Sequence, residues 1–162
     1  MIHYVTGNLL AASDEALVNT VNTVGVMGKG IALQFKDTYP NNFQVYQQAC
    51  KDGSIIPGKL LVTKEVTLSA EPKWIINFPT KKDWKHRSKY EYIEEGLKDL
   101  VQVICQYGIK SIAIPPLGCG NGGLEWSKVK ALMEKYLGKL DIDIHIYRPN
   151  EAVSELLKRE TN

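Results

Sequence analysis

The chain has 162 residues, 44% of them hydrophobic and 23% charged, which is enough for one sizeable core and points to one domain. No stretch approaches the roughly 20 apolar residues of a membrane span, and the N-terminus lacks a charged, signal-like preface, so a cytoplasmic protein with no membrane contact is expected. A formal net charge of +2 is too small to announce a nucleic-acid binder, and three cysteines without CxxC spacing imply neither a disulfide framework nor a zinc site.

Apolar runs and amphipathic stretches alternate along the whole chain, with no internal repeat and no linker-like tract before Pro149. Ile2 to Thr6 and Ala16 to Thr20 read as strands. The glycines that follow lead into helices at Gly30 to Asp37 and Asn41 to Lys51. Lys59 to Thr63 and Trp74 to Asn77 are the next strand candidates, short, apolar and bounded by turn residues. Ser88 to Tyr107 gives a clear helix. Ser88 with Glu91 forms a capping-box pattern, Ile93, Leu97, Leu100, Val101 and Ile104 share one face, and Gly108 supplies a stop. Ser111 to Pro115, Trp126 to Leu137 and Asp143 to Tyr147 complete the series as strand, helix and strand, with Gly138 as the stop of that helix. Strands separated by helices of this length predict a largely parallel or mixed sheet with helices on both faces. Ligands of such sheets bind beyond the carboxyl ends of the strands.

Two loops there are rich in glycine. Val18-Asn19-Thr20-Val21-Asn22-Thr23-Val24-Gly25-Val26-Met27-Gly28-Lys29-Gly30 runs from a strand into a helix, where backbone N–H groups and the helix N-terminus suit an anion. Leu117-Gly118-Cys119-Gly120-Asn121-Gly122-Gly123-Leu124 repeats the arrangement after two prolines. Two such loops suit a diphosphate. Neither is a Walker A loop, because no Gly-Lys-Ser/Thr closes it, and the spacing is not the dinucleotide fingerprint. A basic cluster, Lys81, Lys82, Lys85, His86, Arg87 and Lys89 with Trp84 and Tyr90 interleaved, reads by itself as a solvated loop. Cys105 is expected in the core and Cys119 to pack in its tight loop. His3 and His145 are expected on strand faces, and Glu125 is read as favoured at a helix start. No metal constellation is present in this pattern, and no cofactor is expected.

Asn19-Thr20-Val21-Asn22, followed by a glycine-rich turn and a helix, resembles the Asn-Ala-Ala-Asn signature of macro domains, the ADP-ribose-binding modules. The resemblance extends from Ile2 to Tyr147. It implies a three-layer α/β/α domain over residues 1–148, with a central mixed, largely parallel six-stranded sheet, and a tail or linker at 149–162. Asn8 stands where the family usually carries the Asp that contacts the adenine amino group, and an amide oxygen accepts the same hydrogen bond. The ADP-ribose ligands implied are Asn8, Leu9, Asn22, Gly28, Lys29, Gly30, Ile31, Gly118, Cys119, Gly120, Asn121 and Gly122, with Asn22 at the distal ribose or thymidine and Asn19 supporting the loop.

Gly28-Lys29-Gly30-Ile31-Ala32-Leu33-Gln34-Phe35-Lys36 resembles the branch that removes ADP-ribose with a lysine following a Thr. Thr80-Lys81 matches, which makes Lys81 the catalytic candidate and Lys82 its exposed neighbour. Its amine would attack the anomeric carbon or, if charged, stabilise the leaving group. Protein-directed members carry an Asp where this chain has Gly122. The pattern is instead similar to the DNA ADP-ribosyl glycohydrolase antitoxins of the DarTG type, which act on ADP-ribosylated thymidine in single-stranded DNA and oppose an ADP-ribosyltransferase toxin. Trp84, Lys85, His86 and Arg87 then gain a second reading, as a segment that tracks the DNA backbone and stacks on a base. Hydrolysis of ADP-ribose from protein glutamate or from acylated ADP-ribose, and reading of ADP-ribose without turnover, remain alternatives.

Overall fold

A computed structural model describes residues 1–67 and 70–149; the anticipated tail at 149–162 lies almost wholly outside them. Six strands, β1 (Ile2–Val5), β2 (Ala16–Val21), β3 (Leu61–Thr67), β4 (Ala70–Pro79), β5 (Ser111–Ile114) and β6 (Asp143–Tyr147), form one sheet in the order β1-β6-β5-β2-β4-β3. Every pairing is parallel except β3 with β4. Four α-helices accompany them among the described residues: α1 (Gly30–Thr38), α2 (Pro40–Lys51), α3 (Tyr90–Tyr107) and α4 (Trp126–Leu137).

Alternation along the central strands sorts the side chains into two layers. Ala16, Val18, Ile76, Phe78, Ile112, Ile114, Ile144 and Ile146 face α3 and α4, which contribute Ile93, Leu97, Leu100, Val129, Met133 and Leu137 to the larger core. The intervening residues Leu17, Ile75 and Ala113 meet Phe35 and Tyr39 on the other face, where Val21, Met27 and Tyr46 form a further cluster. The result is the expected α/β/α sandwich. Its core is built from period-two strands that are apolar on both faces, as buried parallel strands must be.

Local readings differ from the structure at several places. The hairpin of β3 and β4 is longer than the apolar runs suggest. Lys64 and Glu65 of β3 pair with Trp74 and Lys73, because an antiparallel ladder needs only backbone groups and tolerates charge at the sheet edge. The capping box is absent: Lys89 is the N-cap of α3, and the Ser88 hydroxyl donates instead to the Thr80 carbonyl. Gly108 does end this helix in the left-handed conformation, φ 61°, with its N–H donated to Ile104. Gly138 follows α4 while keeping helical angles. Glu125 occupies the N-cap position of α4 without a side-chain cap bond; its carboxylate lies 3.8 Å from Lys128 Nζ at the surface. Cys105 is exposed rather than buried, because it stands one residue off the α3 stripe that ends at Ile104. His3 and His145 stack on neighbouring strands with ring centroids 5.2 Å apart, and His145 Nδ1 lies 2.7 Å from Asp14 Oδ2.

Candidate active site

The carboxyl ends of β1, β2, β4, β5 and β6 open on the same edge of the sheet. The two glycine loops meet there, beside the switch point where β2 lies between β5 and β4.

The first loop is held from within by Asn22. Its Oδ1 accepts from the backbone N–H groups of Val24 and Val26 at 3.1 and 3.3 Å, and its Nδ2 donates to the Val26 carbonyl at 2.7 Å. The buried Tyr46 hydroxyl lies 2.9 Å from both the carbonyl and Oδ1 of Asn22. Asn22 therefore braces the loop, and one hydrogen of its amide is left over for a ligand. Asn19 lies underneath, wholly buried, with Nδ2 3.8 Å from Met27 Sδ and 3.5 Å from Asn77 Oδ1. Asn77 and Asn42 exchange reciprocal amide bonds of 2.9 and 3.1 Å, and Thr63 donates to Asn42. This buried amide layer supports the loop in the way anticipated for Asn19 alone. The sequence gives little sign of it, because its members come from β2, α2, β3 and β4.

Lys29 caps α1 without a side-chain bond, leaving the helix N-terminus open at Gly30 and Ile31. Between this helix and the strand ends lies a cavity of about 440 Å³ lined by Gly7, Asn8, Leu9, Ile31, Gln34, Pro115, Pro116, Tyr147 and Arg148. Asn8, Leu9 and Ile31 are among the ligand residues that the resemblance implies. Gln34 lies one helical turn from Ile31, so helix periodicity could have found it. Tyr147 and Arg148 arrive only through the pairing of β6 with β1. Asn8 Oδ1 accepts from Leu10 N–H at 3.1 Å, which aims the amide into the turn while a second lone pair remains.

The second loop follows Pro115 and Pro116. Gly118 sits at φ 72°, where a side chain is strained in any case, and an added Cβ would lie 2.7 Å from Leu124 Cδ1. Gly120–Gly122 form a short 3-10 turn. Cys119 is half-buried against the large core, and burial raises its thiol to about 11, so it stays protonated and packs as expected.

Lys81 lies between the two loops. Thr80 N–H donates to Val21, and Thr23 donates to the Lys82 carbonyl through both N–H (3.0 Å) and Oγ1 (2.7 Å), which straps the segment to the first loop. Across the gap, Lys81 Nζ donates to the Asn121 carbonyl of the second loop at 2.8 Å. Burial lowers the Lys81 amine below the ordinary lysine value, and the charge of Lys29 adds to the effect. Lys82 is exposed. Trp84, Lys85, His86 and Arg87 follow, all exposed, on a turn shaped by Asp83, which accepts from Lys85 and His86 N–H. Lys85 Nζ lies 5.5 Å from the centroid of the Trp84 ring. Arg87 rests against the second loop, since a Cβ on Gly123 would be 2.8 Å from its Nε.

A family model for the Macro domain matches residues 18–133. The chain belongs to the macro domain family. This macro domain is 53% identical over 152 residues to a Thermus aquaticus protein named DNA ADP-ribosyl glycohydrolase, covering 93% of this chain and 42% of that one. It is 42% identical over 161 residues to a Thermosipho africanus DNA ADP-ribosyl transferase–DNA ADP-ribosyl glycohydrolase fusion protein, covering 91% and 42% respectively. Among solved structures it matches the macrodomain of Mycobacterium tuberculosis DarG with a TM-score of 0.90 and 54% identity, over 93% of this chain and 99% of that one. The chain thus spans less than half the length of these two curated relatives.

Proposed function

We propose that this macro domain hydrolyses the bond between ADP-ribose and a thymine ring nitrogen in single-stranded DNA, and that it serves as antitoxin to a DNA ADP-ribosyltransferase. The observation that carries this reading is the Lys81 amine, held 2.8 Å from Asn121 O between two phosphate-type loops and followed at once by an exposed aromatic and basic segment. The names of the relatives point the same way: the Thermus protein acts on ADP-ribosylated DNA by name, and the Thermosipho protein joins that activity to the opposing transferase.

In this reading the cavity at Asn8 and Leu9 takes the adenosine. The N–H groups of Gly28 to Ile31 and of Gly118 to Gly122 take the diphosphate, and the Asn22 amide takes the distal ribose. Lys81 then stands at the anomeric carbon. The C1″–O4″ bond of the distal ribose opens, O4″ taking a proton from water and C1″ becoming doubly bonded to the thymine nitrogen. The neutral Lys81 amine adds to C1″, passes a proton to that nitrogen, and the C1″–N bond breaks to leave a C1″=Nζ Schiff base. Water hydrolyses the C1″–Nζ linkage to release ADP-ribose and the free amine. The depressed pKa supports the nucleophilic role, because it raises the fraction of neutral amine. Gly122 offers no carboxylate, which disfavours the protein-directed alternative.

The test is incubation of the purified domain with single-stranded DNA bearing ADP-ribosylated thymidine, beside a protein ADP-ribosylated on glutamate, following ADP-ribose release from each. Release from the DNA is expected. Release from the protein alone, or binding without release from either, would overturn the reading.

A further inference from the structure

Ser88 stands outside the residues assigned to the ligand, yet it is buried at 6% exposure where the strand carrying the lysine meets the second glycine loop. Its hydroxyl donates to the Thr80 carbonyl, the backbone atom immediately before Lys81. Its N–H donates to the Gly122 carbonyl at 2.9 Å. The Lys81 amine reaches the Asn121 carbonyl of the same loop at 2.8 Å. These bonds close a ring that runs Thr80, Lys81, Asn121, Gly122, Ser88 and back to Thr80. We propose that Ser88 is a positioning residue for the glycohydrolase reaction: it fixes the Thr80-Lys81 peptide relative to the second loop, and so sets where the Lys81 amine stands.

The packing around Ser88 shows how tightly that setting is defined. A Cβ on Gly118 would lie 3.0 Å from Ser88 Oγ, and a Cβ on Gly122 would lie 3.2 Å from Ser88 Cβ. With Ser88 in place, a side chain at position 122 fits only if Ser88 gives by a few tenths of an ångström. Nothing else about Ser88 calls for a hydroxyl. It is not the cap of α3, which starts from Lys89. A small apolar residue would fill its volume equally well, so the hydrogen bond to Thr80 is the part of the side chain that bears on function.

Ser88→Ala removes that bond without adding bulk, and the inference rests on the proposed reaction. Three quantities decide it: kcat on ADP-ribosylated single-stranded DNA, the dissociation constant for free ADP-ribose, and the pH titration of Lys81 followed by NMR of 13Cε-labelled lysines assigned with Lys81→Arg. The expected result is a kcat lower by about tenfold to a hundredfold, as for a misplacement of the reacting group by an ångström or less, with ADP-ribose affinity within about twofold of the parent. The Lys81 titration moves up toward the ordinary lysine value as the amine leaves its half-buried setting. Ser88→Cys, which keeps the volume while weakening the bond to Thr80, is expected to lower kcat in the same direction by a smaller factor and serves if Ser88→Ala does not fold. Parent-like kcat and an unshifted lysine titration in a folded variant would overturn the role, as would a fall in kcat matched by an equal loss of ADP-ribose affinity. An inactive parent protein would instead sink the proposed reaction, and the lysine titration would still report on the placement of Lys81 by Ser88.

Discussion

The ring of Phe78 occupies the space where Gly96 of α3 would carry a Cβ, its Cζ only 2.2 Å from that position. Phe78 is wholly buried near the end of β4, two residues before Thr80, so this contact sets how closely α3 approaches the strand that presents Lys81. Gly96→Ala gains helix propensity of about 1 kcal/mol, but the added methyl overlaps a ring that has no exposed side to move toward. A net loss of about 1–3 kcal/mol is expected in urea denaturation, with the m-value unchanged. A more stable variant would show that α3 can shift away from β4 without cost.

Features set by neighbouring residues were legible in the sequence, and features set by distant pairing were not. The stripe of α3 and the αL stop at Gly108 depend on local spacing and φ, and both appear in the structure. The glycine loops were visible because only glycine suits backbone positions such as Gly118. Ser88 misled because a Ser three residues before a Glu satisfies a local rule, while the Thr80 carbonyl that takes its hydroxyl comes from β4. Cys105 misled because a cysteine inside an apolar helix looks buried until the width of the stripe is known. The far wall of the cavity, Tyr147 and Arg148, was hidden for the same reason: it depends on the register that sets Val5 opposite Tyr147.

In the proposed reaction Lys81 makes the rate depend on pH with a definite sign. Its amine binds its proton less tightly than an ordinary lysine, first through burial and then through the charge of Lys29. If the neutral amine attacks, single-turnover rates on ADP-ribosylated DNA rise with pH and level off below the pH at which a free lysine would titrate. Lys29→Ala removes the repulsion but not the burial, so the rising limb should move upward and still fall short of the ordinary value. Lys81→Ala should abolish release while ADP-ribose affinity survives. Rates that fall with pH through the same region would assign Lys81 to charge stabilisation of the leaving group instead of attack.

Tyr46 links the α2 layer to the first glycine loop through a single hydroxyl placed 2.9 Å from two Asn22 oxygens. Tyr46→Phe keeps the ring in its buried site and removes that donor. About 1–2 kcal/mol of stability should be lost, because the Asn22 carbonyl loses its hydroxyl donor. Asn22 also accepts from Val24 and Val26, so the loop should loosen as a unit, and calorimetry should show ADP-ribose affinity reduced several-fold. Parent-like affinity would mean that the backbone contacts of Asn22 hold the loop without the tyrosine.

The segment after Lys81 should separate binding of the DNA from binding of the nucleotide. Trp84 is half exposed, and Lys85 and Arg87 project beside it, whereas the cavity that would take the adenosine is lined by residues from other parts of the fold. Trp84→Ala should raise KM for ADP-ribosylated DNA by the worth of one stacked base, about 1–3 kcal/mol, or roughly 5- to 150-fold. Lys85→Ala and Arg87→Ala should each lower the slope of log affinity against log salt by about 0.7, the value for one neutralised phosphate on a single strand. None of the three should change the affinity for free ADP-ribose more than about twofold, apart from a small effect of Arg87 through its contact with Gly123. Parallel losses for DNA and free ADP-ribose would place this segment on the nucleotide. An unchanged salt slope in both charge variants would return it to the role of a solvated loop.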